Sequence, residues 1–280
     1  MGNGGIQRPQ SKLRTIVITG ANKGIGYAIV EKLISEAVPY NIIITSRDQK
    51  LGEKALTTLK EKSPDTLSKL QYHQLDVNDE NSIYSFATWL AATEGKFDIL
   101  VNNAGVAYLG ANDEQKKYTI ETNFFSVIKV TEKLKPLLTN DGKILMVSSI
   151  LGQLSFQGQS LQKVLSDPHL TEKKLVEAAN NVIEFGKDYK PYGPFTDSSY
   201  PASKAFLNSY VKNFLPKKLK ATQQLYAIHP GWVKTELGGE QAPLPVEAGA
   251  DTPVYLINLP FTKYENLNAK MIGDRKVMAY

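Results

Sequence analysis

The fold of this chain is decided near its start, where residues 15–26 read TIVITGANKGIG. The β-branched run at 15–19 predicts a buried strand, and the apolar residues that follow Gly26 recur at helical spacing. Between strand and helix, Gly20, Gly24 and Gly26 allow a tight turn whose backbone N–H groups can approach a pyrophosphate. The stretch therefore predicts a nucleotide-binding strand–turn–helix unit, and the alternative is a glycine-rich turn without a ligand.

The same alternation of strand and helix continues along the chain. Further strands are predicted at 41–45, 70–75, 97–102, 143–147 and 224–228, and helices at 51–62, 78–93, 113–138 and 200–218. The strands are continuously apolar, which indicates burial on both faces and a parallel sheet between helical layers. We expect one doubly wound, Rossmann-type α/β domain over residues 14–280, preceded by a mobile tail at 1–13.

One segment, at about 151–198, interrupts this rhythm. Thr171 is suited to N-cap a helix within it, and Leu170 and Leu175 are spaced to form a hydrophobic staple. The helix would carry an apolar face made of Leu175, Val176, Ala179, Val182 and Ile183, and the rest of the segment is predicted to be loop. That face requires a surface to cover, either on neighbouring helices or over the active site.

Composition excludes several classes of function. With no cysteine among 280 residues, disulfides, thiolate nucleophiles and cysteine-ligated zinc are excluded. His73, His169 and His229 are too scattered to suggest a metal site or a Ser–His–Asp triad, so no metal is expected. No apolar run approaches the ~20 residues of a membrane span, and no secretory leader is visible, which favours a cytoplasmic protein without a membrane partner.

The charge pattern does not favour nucleic-acid binding. The net charge is +5, and 29 of the 33 cations are lysines spread along the chain. A nucleic-acid surface would favour clustered arginine with interleaved aromatic residues. The expected partner is a small molecule.

Cofactor choice is predicted about 20 residues beyond the last glycine, where an acidic residue favours NAD. That position holds Ser46, followed by Arg47, whose guanidinium can make a forked contact with a 2′-phosphate. Lys23 is a second candidate cation, whereas Asp48 would oppose the phosphate. The pattern favours NADPH over NADH; the alternative is that Arg47 begins a helix and faces water.

Two further motifs point to chemistry at the carboxyl edge of the sheet. Asn102 to Gly105 read NNAG after a predicted strand, and this small-residue turn leaves room for a cofactor. Tyr200 and Lys204 lie four residues apart on one helical face, where an ammonium favours phenolate over phenol. The preceding strand ends in a pair of serines, the second of which is Ser149, whose hydroxyl can polarise a carbonyl.

Taken together and in order, these motifs resemble the short-chain dehydrogenase/reductases. The motifs are TGANKGIG at 19–26, LDVND at 75–79, NNAG at 102–105, TNFF at 122–125, SS at 148–149, YPASK at 200–204 and PGWVKT at 230–235. The resemblance covers about residues 14–280 and is strongest to the monomeric NADPH-dependent carbonyl reductases, which the long segment before Tyr200 also favours.

The resemblance implies a role for each site residue. Tyr200 would deliver a proton to the substrate oxygen, and Lys204 would lower the pKa of Tyr200 and hold the ribose hydroxyls. Ser149 would hydrogen-bond the substrate oxygen, Asn123 would anchor a water, and Trp232 would lie over the substrate unless it is a core or lid residue. The cofactor-binding set is Gly20, Asn22, Lys23, Gly24, Ile25, Gly26, Ser46, Arg47, Asp76, Val77, Asn102, Ala104, Gly105, Tyr200, Lys204, Pro230, Gly231, Val233 and Thr235.

The resemblance also implies a monomer that reduces ketones, aldehydes or quinones with NADPH. Two alternatives are an NADP-dependent alcohol, steroid or sugar dehydrogenase, and an inactive nucleotide-sensing binding protein. His229 stands where the carbonyl reductases carry cysteine, so no glutathione-linked property is expected, and we interpret His229 as a strand-end packing residue.

Overall fold

The computed structural model of the protein describes residues 12–108, 110–185, 199–260 and 267–280. Most of the predicted tail (residues 1–11) and residues 186–198 of the segment before Tyr200 lie outside the described residues.

The described strands form one eight-stranded sheet in the order β3-β2-β1-β4-β5-β6-β7-β8. Its strands are β1 (Arg14–Ile18), β2 (Tyr40–Ser46), β3 (Lys69–Gln74), β4 (Phe97–Asn102), β5 (Leu138–Val147), β6 (Gln224–His229), β7 (Lys270–Gly273) and β8 (Lys276–Met278). Every pairing is parallel except that of β7 with β8. The chain reverses its direction of winding between β1 and β4, which is where ligands bind in sheets of this kind.

Helices cover both faces of the sheet. They are α1 (Gly24–Ser35), α2 (Gln49–Lys62), α3 (Glu80–Thr93), α4 (Asp113–Ile120), α5 (Ser126–Leu134), α6 (Gln159–Leu165), α7 (Glu172–Phe185), α8 (Tyr200–Asn213) and α9 (Val246–Asn258). One hydrophobic core lies between the sheet and α3, α5 and α8, and a second lies between the sheet and α1 and α9. The predicted doubly wound fold is therefore confirmed.

The single helix predicted at 113–138 is wrong in detail. A π-helical turn at Glu121–Phe125 separates α4 from α5, and β5 already begins at Leu138. A π turn inserts an extra residue into the helix, and such turns often occur at functional sites. Asn123 lies in this one.

The last part of the chain was not predicted from its sequence. Pro253 lies inside α9, and a proline normally argues against a helix interior. β7 and β8 contain four and three residues, which is too short for a periodic pattern to be seen. The helix predicted at 200–218 ends earlier, at Asn213, and a separate 3₁₀ turn at Leu215–Lys218 follows, with Pro216 near its start.

The helix predicted within 151–198 is present as α7. The backbone N–H of Lys174 donates to Thr171 Oγ1 at 3.2 Å, which confirms the cap. Leu175, Ala179 and Val182 are buried in the core that α8 shares, so the apolar face of α7 packs against α4 and α8. The expectation of loop in the part of the segment before α7 is wrong, since α6 and two 3₁₀ turns precede α7.

Over the residues that the structure describes, the helices fall short of the length and apolar character that crossing a membrane requires.

Candidate active site

The glycine turn after β1 is held by the turn that follows β4. The side-chain Nδ2 of Asn103 donates to the carbonyl oxygens of Thr19 and Gly20, at 2.9 and 3.0 Å. In return, Thr19 Oγ1 accepts the backbone N–H groups of Asn103 and Ala104, at 2.9 and 3.0 Å. Gly20 has a φ of 63°, and a Cβ there would lie 3.0 Å from the Cα of Ala104. The two turns therefore leave no room for a side chain at Gly20.

The two asparagines of NNAG do different things. Asn102 was predicted to meet the cofactor, but its side chain is buried and donates to Thr131 Oγ1 at 3.0 Å. Asn103, which the sequence reasoning left out of the site, carries the side chain that shapes the glycine turn. The sequence offered one signal for this role. Asn103 directly follows the last residue of β4, and because side chains alternate between the two faces of a strand, its side chain is expected on the opposite side from that of Asn102.

The segment after β6 reaches the same turn from the other side. A Cβ on Gly24 would lie 3.6 Å from Thr235 Cγ2, so these predicted cofactor residues are neighbours. Gly249, in α9, lies close to both Ile25 and Val233. A Cβ on Gly249 would lie 3.2 Å from Cγ1 of each. Residues more than 200 positions apart thus form one face at the carboxyl edge of the sheet.

Lys23, predicted as a second cation for the 2′-phosphate, makes an ion pair with Glu236. The pair lowers the pKa of the Glu236 carboxyl, and both side chains are well exposed. Exposed ion pairs contribute little free energy, so a bound anion can compete for Lys23. The expected phosphate contact of Lys23 therefore requires this pair to open.

Ser46 and Arg47 lie at the carboxyl end of β2, as predicted. Ser46 is buried, with Oγ donating to the Asp48 carbonyl at 2.7 Å, whereas Arg47 is exposed and donates to the Tyr118 hydroxyl at 2.6 Å. The carboxylate of Asp48 accepts the backbone N–H of Leu51 and caps α2. Its engagement in the cap weakens the objection that Asp48 would repel a phosphate.

Asp76 and Val77 follow β3 at the edge predicted for the adenine. Asp76 Oδ1 accepts the backbone N–H of Asn78 at 2.9 Å, and the Asp76 N–H donates to Ser82 Oγ. Val77 packs against the core on the α3 side of the sheet. Both residues are half-buried, so they form one wall at this end of the edge.

Asn123 links the turn after β4 to α8. Its Oδ1 accepts the N–H of Val106 and its Nδ2 donates to the carbonyl of Val106, both at 2.8 Å. Nδ2 also donates to Ser203 Oγ at 3.1 Å, and the side chain is fully buried. A Cβ on Gly105 would lie 3.1 Å from Asn123 Oδ1 and 3.8 Å from Lys204 Nζ. The π turn therefore places Asn123 beside the candidate catalytic lysine.

Tyr200, Lys204 and Ser149 meet where β5 ends and α8 begins. Lys204 Nζ donates to the Val147 carbonyl at 2.8 Å and lies 5.5 Å from the centroid of the Tyr200 ring. The Ser149 hydroxyl hydrogen-bonds Tyr200 and accepts the N–H of Leu151 at 3.2 Å. Helix α8 presents the tyrosine and lysine on one face because they are one turn apart. The structure thus brings together three of the four predicted catalytic residues, and the fourth, Asn123, lies beside Lys204.

Burial governs the titration of this group. It raises the pKa of Tyr200 to about 12, and the hydrogen bond from Ser149 opposes that rise. Burial also lowers the pKa of Lys204 to about 8. Lys204 Nζ lies 5.5 Å from the centroid of the Tyr200 ring, where its charge favours a phenolate over a phenol, and the effect of Lys204 on the pKa of Tyr200 stays a prediction. A phenol that keeps its proton at neutral pH is a proton donor.

The predicted PGWVKT segment turns sharply after β6. Gly231 has a φ of 84°, and a Cβ there would lie 2.9 Å from Leu244. Trp232 is 54% exposed, and its Nε1 donates to the Gly238 carbonyl at 2.8 Å. Trp232 is therefore not a core residue, and it lies on a loop that begins beside the site. Pro230 is half-buried between this turn and His229.

The residues around Ser149 include one that the sequence did not suggest. Ser148 Oγ donates to Asn208 Oδ1 at 2.6 Å, and Asn208 lies one turn beyond Lys204 on α8. A Cβ on Gly152 would lie 2.5 Å from Asn208 Nδ2. Asn208 therefore ties the end of β5 to α8; its spacing from Tyr200, two turns along the helix, was the available signal.

Comparison with known proteins gives consistent matches. A family model described as short chain dehydrogenase matches residues 14–161. Carbonyl reductase [NADPH] 1 of Sus scrofa is 34% identical over 283 residues, with 96% of this chain and 95% of that protein covered. (+)-Neomenthol dehydrogenase of Arabidopsis thaliana is 34% identical, with 88% and 92% covered. Among solved structures, salutaridine reductase from Papaver somniferum has a TM-score of 0.81 at 27% identity, with 93% and 99% covered.

Proposed function

Because this chain belongs to the short-chain dehydrogenase/reductase family, we propose that it reduces carbonyl groups of small molecules with NADPH as the hydride donor. The observation that carries the proposal is the meeting of Tyr200, Lys204 and Ser149 beside the glycine turn. Relatives that are named NADPH carbonyl reductases, at 34% and 35% identity over nearly the whole chain, support it.

The residues at the edge of the sheet fit a dinucleotide. The glycine turn opens helix α1, so its backbone N–H groups point toward an anion, and no side chain fits at Gly20. Lys204 is 4% exposed, and among the described residues only the Val147 carbonyl accepts one of its three N–H donors. A buried ammonium with donors to spare suits ribose hydroxyls. The pyrophosphate would lie at Gly20 to Gly26, the adenine at Asp76 and Val77, and the nicotinamide between Lys204 and Thr235.

The chain's own groups account for the proton in this reduction. The hydride for the carbonyl carbon would come from NADPH when it is bound. Ser149 donates a hydrogen bond to the carbonyl oxygen, where negative charge develops, and Tyr200 transfers its phenolic proton to that oxygen. Lys204 stabilises the phenolate that remains until solvent returns a proton. Asn123 holds the turn at Val106 against α8, and we infer that it anchors the water through which that proton returns.

Arg47 supports the choice of NADPH over NADH. Its guanidinium is exposed at the end of β2, and its hydrogen bond to the Tyr118 hydroxyl is with a neutral group that a phosphate can replace. The Asp48 carboxylate is occupied in capping α2.

A spectrophotometric panel tests the function. The purified protein is mixed with NADPH or NADH and with aromatic ketones, aliphatic aldehydes, cyclic terpenoid ketones or quinones, and loss of reduced cofactor is followed. We expect turnover of at least one carbonyl class with NADPH and much slower turnover with NADH. No turnover with any carbonyl, together with oxidation of alcohols by NADP, would instead favour a dehydrogenase.

We further propose that the protein is a monomer. Family members commonly pair through the helices that correspond to α4 and α8, and in this chain α7 packs against both. The ion pair of Glu172 with Lys218 adds a polar contact at the edge of this packing. Light scattering at micromolar concentration is expected to give 31.0 kDa, and a value twice as large would contradict the proposal.

A further inference from the structure

His229 touches the segment that carries Ser149. The backbone N–H of Ile150 donates to Nδ1 of His229 at 3.3 Å. On the other side of Ser149, the N–H of Ser148 donates to the carbonyl of Ile228 at 2.7 Å. Ser149 is therefore flanked by two backbone groups, and both are bound to the end of β6.

The hydrogen bond from Ile150 indicates which ring nitrogen of His229 carries the proton. Because a backbone N–H only donates, Nδ1 must accept, and the ring proton of the neutral imidazole then lies on Nε2. Strand β7 lies beside the base of the His229 side chain, since a Cβ on Gly273 would lie 3.3 Å from His229 Cβ.

We propose that His229 is a positioning residue for carbonyl reduction, which holds Ser149 opposite Tyr200 by accepting the Ile150 N–H on its neutral Nδ1. This inference rests on the proposed function. It replaces the interpretation of His229 as a packing residue alone.

A dependence on pH follows from this geometry. A proton on Nδ1 would point at the N–H of Ile150, which removes the acceptor and sets two donors against each other. Burial lowers the pKa of His229 below its usual value. The ionisable groups on the elements that pack against β6, and on the adjoining turn and β8, are Asp141 and Lys143 on β5, Tyr200, Lys204, Tyr210 and Lys212 on α8, Glu247, Asp251 and Tyr255 on α9, and Lys270, Asp274, Arg275 and Lys276 on and between β7 and β8. We therefore expect kcat to be full above the pKa of His229 and to fall as the pH drops through it.

Two variants separate positioning from packing. His229→Asn places an amide oxygen at the position of Nδ1 and does not titrate, whereas His229→Leu keeps bulk without an acceptor. At neutral pH we expect kcat to fall about two- to tenfold in His229→Leu, since one hydrogen bond to Ile150 is lost, with NADPH affinity unchanged. His229→Asn is expected to keep most of kcat and to lose the decline at acid pH. His169→Asn, on the exposed loop before α7, is the matched control and is expected to keep the wild-type profile.

The decisive comparison is the pH profile of kcat for the wild type and His229→Asn. An unchanged acid decline in His229→Asn would overturn the inference, and so would wild-type kcat in His229→Leu. If His229→Leu fails to fold, the His229→Asn profile alone decides. Nitrogen-15 NMR of the imidazole provides a readout besides activity: we expect the Nε2–H tautomer, and the Nδ1–H tautomer would contradict the contact. Failure of the proposed function is distinct, because it would appear as a wild type that reduces no carbonyl at any pH.

Discussion

Two buried lysines, Lys143 within β5 and Lys204 bound at the carboxyl end of β5, differ in whether they support the fold or can take part in chemistry. Lys143 is fully buried, and its Nζ donates to the carbonyls of Leu256, Ile257 and Leu259, at 2.9, 3.1 and 2.6 Å. These carbonyls lie at the C-terminal end of α9, where a helix carries partial negative charge. Each of the three ammonium donors of Lys143 therefore has a protein acceptor.

Lys204 is buried almost as deeply, and its surroundings differ. Among the described residues it has one carbonyl acceptor, Val147, and it faces the ring of Tyr200. Burial lowers the pKa of both lysines, that of Lys143 to about 7 and that of Lys204 to about 8. Burial and pKa thus fail to distinguish them, whereas the number of acceptors does. A lysine with unused donors in a buried site can serve a ligand.

The largest effect is expected at the Lys204 end of β5, from Tyr200→Phe. The change removes one oxygen and keeps the ring that Lys204 faces, so packing and NADPH binding are expected to survive. Because a positioned acid contributes about 10²–10⁴ in rate, kcat is expected to fall by that range. Stopped-flow NADPH oxidation measures the rate and fluorescence titration measures NADPH affinity; near-normal turnover would assign the proton to another group.

Lys204→Met tests whether the spare donors of this lysine bind the cofactor. Charge-assisted hydrogen bonds contribute about 1.5–3 kcal/mol, so we expect NADPH affinity to fall about ten- to 150-fold, with kcat also reduced. Calorimetric titration with NADPH measures the affinity. Ser149→Ala is the control at the same site, and it is expected to lower kcat while NADPH affinity stays the same. Wild-type affinity in Lys204→Met would show that this lysine, like Lys143, only supports the fold.

Arg47→Glu extends the comparison to an exposed cation. A carboxylate at this position would replace attraction to the 2′-phosphate by repulsion, and the loss of the contact costs about 1.5–3 kcal/mol of NADPH affinity. NADH affinity is expected to change little, so the ratio of the two dissociation constants is the quantity to measure. An unchanged ratio would show that another residue recognises the 2′-phosphate.

Lys143→Met is expected to affect stability alone. It leaves the carbonyls at the end of α9 without their donor, which costs about 1–3 kcal/mol in the free energy of unfolding. Urea denaturation measures the loss, and NADPH affinity and kcat at a temperature where the variant is folded are expected to match the wild type. A large fall in kcat would break the distinction between the two lysines.

The features of this fold that depend on residues close together in the chain were predictable from the sequence. Glycines between a β-branched strand and an amphipathic helix admit few conformations, so the turn at Gly20 to Gly26 was predictable. Thr171 was recognised as a cap because capping depends on the backbone only three residues away. That Tyr200 and Lys204 share one face of a helix was predictable because residues four positions apart lie about one helical turn apart.

The remaining features depend on contacts between distant parts of the chain. The backbone N–H and carbonyl of Val106 bind the side-chain oxygen and nitrogen of Asn123, which lies in a π turn. No periodic pattern in the sequence predicts this pair of contacts. Asn102 and Asn103 are identical residues in sequence, and only the alternation of sides at the end of β4 sends one to Thr131 and the other to the glycine turn.

By itself, the sequence determined the doubly wound class, the position of the glycine turn and the order of the residues that form the site. Tertiary structure alone decided which buried lysine has an acceptor for each of its three donors, because the carbonyls that Lys143 binds lie more than 100 residues further along the chain. It likewise decided that His229 accepts from the residue after Ser149, since β5 and β6 become neighbours only in the sheet. Periodicity records which residues are buried, but the partners of a buried polar group are set by which elements the fold brings together.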